Sequence, residues 1–264
     1  MKGRVLIVAG SDSGGGAGIQ ADIKTVTALN GYAATAITAL TAQNTQGVFG
    51  VHAVPIGFIR QQIDLVLDDI GADAIKTGML HSAEVIEAVA EAVAAKGRRI
   101  PLVVDPVMVA KGGAALLDPE ATGALRQVLL PLATILTPNA PEAAALTGLR
   151  VETPGDLEHA AEMLAGMGPR AVLVKGGHID GPVVQDFLFA DDGLEIFESP
   201  RIDSTSTHGT GCTLASAIAT GLAQSLTIRE SVVRARAYVQ EAIRTAPGFG
   251  QGHGPLNHAH TVKA

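Results

Sequence analysis

Two patterns of apolar positions alternate along this chain. Short aliphatic and β-branched runs bounded by glycine or polar residues predict buried strands at residues 4–9, 33–40, 74–76, 102–105, 133–136 and 171–175. Apolar residues at helical spacing predict helices at residues 19–29, 83–95, 120–130, 141–147 and 156–167. The repeated order of strand, loop and helix predicts an α/β fold with a mainly parallel sheet covered on both faces.

The pattern changes after residue 175. Residues 186–190 and 194–198 flank Asp191-Asp192-Gly193, which predicts an antiparallel hairpin toward one edge of the sheet. Helices are expected at residues 212–224 and 228–244, and the glycine- and histidine-rich tail, 248–264, is expected to be partly ordered. No stretch has the composition of a linker, so we predict a single domain over residues 1–264.

Composition narrows the classes of function. Aromatic residues make up 3% of the chain and Trp is absent, so the core must consist mainly of smaller aliphatic side chains. With 19 Lys and Arg against 26 Asp and Glu, the net charge is −7, which argues against nucleic acid as a partner. The single cysteine, Cys212, cannot form an internal disulfide, which favours a cytoplasmic location.

Two long stretches, residues 25–59 and 205–228, lack Asp, Glu, Lys and Arg. Polar Asn, Gln, Thr and Ser residues interrupt both, and a membrane interior would leave those groups unpaired. We therefore expect no membrane partner and interpret both stretches as buried protein interior.

In an open parallel sheet, ligands bind beyond the carboxyl ends of the strands, so the loops that follow the strands are the candidate site. The first loop, residues 10–18, is glycine-rich and lets the backbone approach a ligand closely. It matches neither the dinucleotide fingerprint nor the P-loop, and a plain turn is the alternative interpretation.

A second loop of interest is His208-Gly-Thr-Gly-Cys212, which precedes a predicted helix. Free N–H groups and the positive end of the helix dipole suit an anion such as a transferring phosphoryl group. The same field is expected to lower the pKa of Cys212 and raise its thiolate fraction. The alternative is that Cys212 is a small buried apolar residue.

Four polar residues near other strand ends complete the candidate site. Lys175 can neutralise phosphate, or it can be a solvated lysine at a strand end. Asp105 and Glu142 offer oxygen ligands to hydrated Mg²⁺, although Glu142 can also simply compensate a helix dipole. The Gln43 amide can donate and accept at once, which matches an aminopyrimidine edge, or it can stabilise its own loop. His258 and His260, an alternate pair in the tail, are weak evidence for a metal site.

Eight motifs in order resemble the hydroxymethylpyrimidine/phosphomethylpyrimidine kinase family of thiamine biosynthesis, a branch of the ribokinase-like kinases. They are AGSDSGGGAGIQAD (9–22), TAQNT (41–45), KTGML (76–80), DPVM (105–108), TPNAPEA (137–143), VKGGH (174–178), THGTGCT (207–213) and GPLNH (254–258). Each motif alone is weak, but eight at compatible spacing cover essentially the whole chain.

The resemblance implies a ribokinase-like three-layer α/β/α fold, ATP as donor with Mg²⁺, and two successive phosphorylations of 4-amino-5-hydroxymethyl-2-methylpyrimidine. It also implies a homodimer. By the same resemblance, the residues that surround the pyrimidine are Gly10, Ala17, Gln43, Met79, Val107 and Cys212. Those that hold the transferring phosphate are Lys175, Gly209, Thr210, Gly211 and Cys212, with Asp105 and Glu142 near Mg²⁺. Cys212 stands where most ribokinase-like kinases carry an Asp base, a substitution that positioning and charge neutralisation can tolerate.

Three alternatives remain open at this point. A pyridoxal kinase is the nearest, because that ring also bears a hydroxymethyl group. A sugar or nucleoside kinase is disfavoured, since the first loop lacks a good set of acidic and amide partners for several hydroxyls. A non-catalytic nucleotide sensor would bind ATP through the same loop without turnover.

Overall fold

The computed structural model describes residues 1–110, 113–118 and 120–262. The described part of the chain forms one nine-stranded sheet. Its strands in chain order are β1 (Arg4–Asp12), β2 (Tyr32–Asn44), β3 (Gly47–Ala53), β4 (Ala74–Thr77), β5 (Leu102–Val104), β6 (Ile135–Leu136), β7 (Val172–Val174), β8 (Val183–Ala190) and β9 (Gly193–Pro200).

The strands lie in the order β3-β2-β1-β4-β5-β6-β7-β8-β9. The pairings from β2 through β1 and β4 to β7 are all parallel, whereas β3, β8 and β9 pair antiparallel at the two edges. The sheet is therefore mainly parallel, as predicted, and the hairpin around Asp191-Asp192-Gly193 is confirmed as β8 and β9. Strand order reverses at β1, so the loops after β1 and β4 diverge and leave a crevice at this point of the sheet.

Helices cover both faces of the sheet. They are α1 (Gly18–Ala28), α2 (Ile56–Leu65), α3 (Ala83–Ala92), α4 (Ala121–Ala124), α5 (Ala140–Thr147), α6 (Pro154–Ala165), α7 (Thr210–Ala223) and α8 (Ile228–Arg244). A π-helical turn extends each of α2, α3 and α4; the three turns are Val66–Ile70, Val93–Gly97 and Leu125–Leu129. Short 3₁₀ turns lie at Leu130–Leu132 and Gly176–His178.

Alternation along the strands divides the core into two layers. In β1, Leu6 and Val8 pack with α2 to α6 on one face, whereas Val5 and Ile7 pack with α1, α7 and α8 on the other. Both sets are fully buried, because a central parallel strand has no face in contact with water. This confirms the predicted α/β/α layering.

The structure corrects two expectations. The uncharged stretch 25–59 is not wholly buried: it contains the unpredicted β3 and the start of the unpredicted α2, and Phe49 on β3 is 73% exposed. The edge position of β3 explains this, because only one side of the strand has a neighbour. The tail, residues 248–264, was expected to be only partly ordered, yet Leu256 and His258 in it are buried. Residues 263–264 of the tail lie outside the part of the chain that the structure describes. Over the described ranges, no helix combines the length and apolarity needed to cross a membrane.

Candidate functional site

A cavity of about 650 Å³ opens at the carboxyl ends of the parallel strands. Every residue predicted for the site from the sequence lines this cavity, although those residues come from seven separate segments of the chain. They are Gly10, Ala17, Gln43, Met79, Asp105, Val107, Glu142, Lys175, Gly209, Thr210, Gly211 and Cys212. The structure thus brings the predicted site together, and the role of each residue stays a prediction.

Asp12, which the sequence analysis passed over, organises the first loop. Its carboxylate accepts hydrogen bonds from the N–H groups of Gly14 at 2.8 Å, Gly16 at 3.0 Å and Ala17 at 2.8 Å. Its Oδ2 also lies 2.9 Å from His208 Nε2. Burial raises the pKa of Asp12, but the bonds from His208 and the backbone outweigh it and leave the pKa lowered. An acid directly between a strand and a glycine run was the signal available in the sequence.

The predicted anion-binding loop is the start of α7. Gly209 is its N-cap residue, at a φ of +83° that favours glycine, and no side chain caps the helix. A Cβ on Gly211 would lie 3.3 Å from Lys175 Nζ and 3.5 Å from Asp105 Oδ2, so glycine lets these charged groups approach the backbone. The first turn of α7 therefore faces the cavity with its positive end beside a lysine and a carboxylate.

The prediction of a lowered Cys212 pKa is wrong for this structure. Burial raises the pKa of Cys212 to about 12, and the charges of Asp22 and Asp105 add to that effect. Lys76 opposes the rise without overcoming it. Desolvation of the thiolate is larger here than the field of the helix, so the thiol is protonated at neutral pH.

Lys175 is not a solvated lysine at a strand end. Its Nζ donates to Asp105 Oδ1 at 3.1 Å, and its side chain is 13% exposed. Burial lowers the pKa of Lys175, but the charges of Asp105 and Glu142 more than compensate and raise it. The cavity therefore contains a charged ammonium group between two acids.

The surroundings of Glu142 are compatible with both interpretations of this residue, as a ligand of Mg²⁺ and as an acid at the start of a helix. It forms a capping box with Asn139, in which Asn139 N donates to Glu142 Oε2 at 2.8 Å and Glu142 N donates to Asn139 Oδ1 at 2.9 Å. Burial raises the pKa of Glu142 to about 7; Lys175 lowers it and Asp105 raises it. The carboxyl group thus lies where negative charge is costly without a further cation.

The residues present suit Mg²⁺. Asp105, which accepts from Lys175, and Glu142, whose ionised form burial disfavours, supply hard oxygen ligands. No group of three or more His, Cys, Asp or Glu side chains in the described ranges could hold a metal by itself. Magnesium commonly binds through one or two carboxylates and keeps several waters, so two acids are enough. In the tail, His258 Nε2 lies 2.9 Å from Thr213 Oγ1 and His260 Nε2 lies 3.1 Å from Tyr238 O, so the two Nε2 atoms contact different protein groups rather than one shared position.

A buried ion pair under the cavity was also missed. Lys76 Nζ donates to both carboxylate oxygens of Asp22, at 3.0 and 2.9 Å, and both side chains are 0% exposed. Ser216 Oγ, on α7, donates to Asp22 Oδ1 at 2.7 Å. Burial lowers the pKa of Lys76, but the charges of Asp22 and Asp105 raise it on balance. Nothing in the local sequence pattern indicates that these residues meet.

A second cavity, of about 240 Å³, adjoins the first. The two share Asn139, Lys175, His178, Thr207, Thr210 and Gly211 in their walls. The far wall of the second cavity is formed by β9, the segment that follows it, and α8. Two chambers thus meet at the first turn of α7 and Lys175, as a transfer between two bound molecules requires.

A family model and related protein sequences assign this chain to the same family. The model of the family described as phosphomethylpyrimidine kinase matches residues 12–257. The chain is 50% identical over 254 residues to the hydroxymethylpyrimidine/phosphomethylpyrimidine kinase of Streptomyces coelicolor, covering 96% of this chain and 93% of that protein. It is also 54% identical over 257 residues to the thiamine biosynthesis bifunctional protein ThiED of Geobacter sulfurreducens; the match covers 97% of this chain and 52%, about half, of that protein.

Solved structures agree in fold. An ADP complex of pyridoxal kinase from Bacillus subtilis superposes with a TM-score of 0.91 at 37% identity, covering 98% of each chain.

Proposed function

This chain belongs to the phosphomethylpyrimidine kinase family, and on that premise we propose that it uses ATP to phosphorylate 4-amino-5-hydroxymethyl-2-methylpyrimidine and then its monophosphate, yielding the diphosphate for thiamine biosynthesis. One observation carries the proposal: two cavities meet at Lys175 and the first turn of α7. The larger takes the pyrimidine and the smaller takes the nucleotide. A kinase with ADP bound among the similar structures supports ATP as the donor.

In the first step, the hydroxymethyl oxygen attacks the γ-phosphorus of ATP, a new P–O bond forms, and the bond to the ADP oxygen breaks. Lys175 and the N–H groups of Gly209 to Cys212 face the position where negative charge is transferred. Magnesium, held by Asp105 and Glu142, would supply further charge neutralisation on the phosphates.

Cys212 is the residue we assign to the proton that the alcohol loses. Because the pKa of Cys212 is raised to about 12, the thiolate is a strong base that is scarce at neutral pH. The second phosphorylation has a different requirement, since its acceptor is already an anionic phosphate oxygen. That step needs only positioning and neutralising partners.

In the proposed pyrimidine pocket, the backbone of Gly10 lies close to the side chain of Met79. A Cβ on Gly10 would lie 3.0 Å from Met79 Sδ, so a larger residue here would push the Met79 side chain aside. We propose that Gly10, Ala17, Met79 and Val107 pack on the ring, and that Gln43 reads its aminopyrimidine edge.

A pyridoxal kinase is the second candidate, because the similar Bacillus subtilis structure carries that name. The test is to incubate the purified protein with Mg·ATP and either hydroxymethylpyrimidine or pyridoxal, and to identify products by mass. We expect the pyrimidine to gain first one phosphate and then a second. Phosphorylation of pyridoxal alone would refute the proposal in favour of the second candidate, and ATP binding without any product would indicate the sensor.

We also propose that residues 1–264 form one kinase domain, because a single sheet runs through the described chain. A cytoplasmic location fits a biosynthetic enzyme that consumes ATP. The family resemblance supports a homodimer, and exposed apolar side chains such as Phe49 on β3, 73% exposed, and Phe58 on α2, 56% exposed, suit contact with a second copy. Light scattering on the parent and on Phe49→Ser tests this: a parent of monomer mass contradicts it.

A further inference from the structure

One histidine nitrogen lies between two side chains at the cavity wall. His208 Nε2 is 2.9 Å from Asp12 Oδ2 and also 2.9 Å from Gln43 Nε2. His208 is 12% exposed and Asp12 4%, so the contact with Asp12 is shielded from water. A single imidazole nitrogen either donates a hydrogen bond or accepts one, and it cannot do both.

Asp12 decides which of the two occurs. Its carboxylate accepts three backbone N–H groups, from Gly14, Gly16 and Ala17, and these bonds favour the ionised form. An ionised carboxylate only accepts hydrogen bonds, so His208 Nε2 must carry a hydrogen. This holds for the neutral ring and for the imidazolium alike. The ring packs closely on the first loop, because a Cβ on Gly16 would lie 2.5 Å from His208 Cδ2.

A protonated Nε2 cannot bond to the NH₂ end of Gln43, because both groups are donors. The two ends of a side-chain amide have the same shape, and a half-turn about the last side-chain bond exchanges them. After that turn, Gln43 Oε1 accepts from His208 and the NH₂ group lies on the far side. The single hydrogen of His208 Nε2 is then shared, as a bifurcated bond, between the carboxylate of Asp12 and the carbonyl of Gln43, and no two donors face each other.

We propose that Asp12 and His208 are positioning residues that fix the Gln43 amide with its carbonyl toward His208, and thereby fix the direction in which the substrate ring binds. The proposal rests on the pyrimidine substrate proposed above. In that ring the acceptor nitrogen, the amino-bearing carbon and the hydroxymethyl-bearing carbon are consecutive. The Gln43 NH₂ group pairs with the ring nitrogen, and the second lone pair of its carbonyl pairs with the amino group.

The direction of binding has a consequence for the reaction. With the amino group on the His208 side, the hydroxymethyl group on the next ring carbon lies on that side as well, and the residues that follow His208 in the chain line the same cavity. Those residues are Gly209 to Cys212, the first turn of α7. The opposite amide orientation would turn the ring over along this edge and carry the hydroxymethyl group away from the phosphate-binding turn. The orientation of one amide thus selects the productive pose.

The first test reads the hydrogen on His208 directly in the full-length protein without substrate. Nitrogen-15 NMR correlations of the imidazole ring distinguish the two tautomers, and His208→Gln identifies the signal among the eight histidines. We expect Nε2 to stay protonated at pH 9, where a free histidine is neutral and mixes both tautomers. A ring protonated only at Nδ1 would overturn the proposal. This result does not depend on which substrate the enzyme uses.

The second test compares two replacements in turnover of hydroxymethylpyrimidine. Glutamine at position 208 keeps an N–H donor for Asp12 and Gln43, whereas leucine keeps bulk without a donor. We expect His208→Leu to lower kcat/KM at least tenfold relative to His208→Gln, with both variants showing the melting temperature of the parent within a few degrees. Equal kcat/KM in the two variants would refute the positioning role. Absence of pyrimidine phosphorylation in the parent would instead refute the proposed function.

Discussion

Glu142→Gln tests the assignment of Mg²⁺ through a group whose pKa is displaced. Burial raises the pKa of Glu142 from its ordinary value of 4.5 to about 7. On that basis about a tenth of Glu142 is ionised at pH 6 and about nine tenths at pH 8. If the carboxylate binds Mg²⁺, the magnesium concentration for half-maximal turnover rises roughly tenfold between pH 8 and pH 6.

The variant is expected to remove this dependence. Glutamine keeps the capping box, because its carbonyl oxygen can still accept from Asn139 N, but it cannot ionise. Turnover of Glu142→Gln should need more Mg²⁺ than the parent at pH 8, and its requirement should not change at pH 6. Glu158→Gln, an exposed position on α6, is the matched control and should behave as the parent does.

Stability gives an independent reading of the same group. The pKa of Glu142 is higher in the folded protein than in the unfolded chain. Its contribution to the free energy of unfolding is therefore complete below about pH 4.5 and is lost as the pH rises through about 7. The difference between the two pKa values of Glu142 corresponds to at most about 3 kcal/mol of stability. Glu142→Gln should therefore raise the melting temperature at pH 8 more than at pH 5. A magnesium titration that overlays the parent at both pH values would reduce Glu142 to a helix cap.

Further predictions concern other residues of the cavity. Replacing Gln43 with Leu should weaken pyrimidine binding by about 1 to 3 kcal/mol for each polar group left unpaired, measured by calorimetry, whereas the exposed Gln46→Leu should not. In single-turnover experiments, Cys212→Ser should slow the first phosphorylation on the order of 10²-fold and the second far less; equal losses would assign Cys212 to positioning. The first step of the parent should also accelerate about tenfold per pH unit above pH 7, because the pKa of Cys212 is raised to about 12. A Cβ at Gly209 would collide with the Gly16 carbonyl oxygen, so Gly209→Ala should lose most turnover with either substrate, and Gly57→Ala, where a Cβ meets open space, should keep it.

Local pattern was enough to predict most of the fold. The helix predicted at residues 228–244 is observed as Ile228–Arg244, since its apolar stripe repeats regularly and Thr227 and Glu230 form a capping box at its start. The strands of the sheet interior were equally clear. By contrast, β3 and α2 were missed: β3 is an edge strand with most of its residues exposed, and α2 is a short helix that buries only Ile59 and Ile63.

The location of the site could also be predicted, because the loops that follow parallel strands all lie at one edge of the sheet. The sequence alone therefore determined the fold class, the family resemblance and many of the residues that line the cavity, although Asp12, Lys76 and His208 also line it and were not predicted. It did not determine their ionisation or their hydrogen-bond partners. Asp12 and His208 are 196 residues apart, and Asp22 and Ser216 are 194 apart. Only the tertiary structure decided that Cys212 is a protonated thiol and that His208 lies between Asp12 and Gln43, because desolvation and charge depend on neighbours that folding brings from distant parts of the chain.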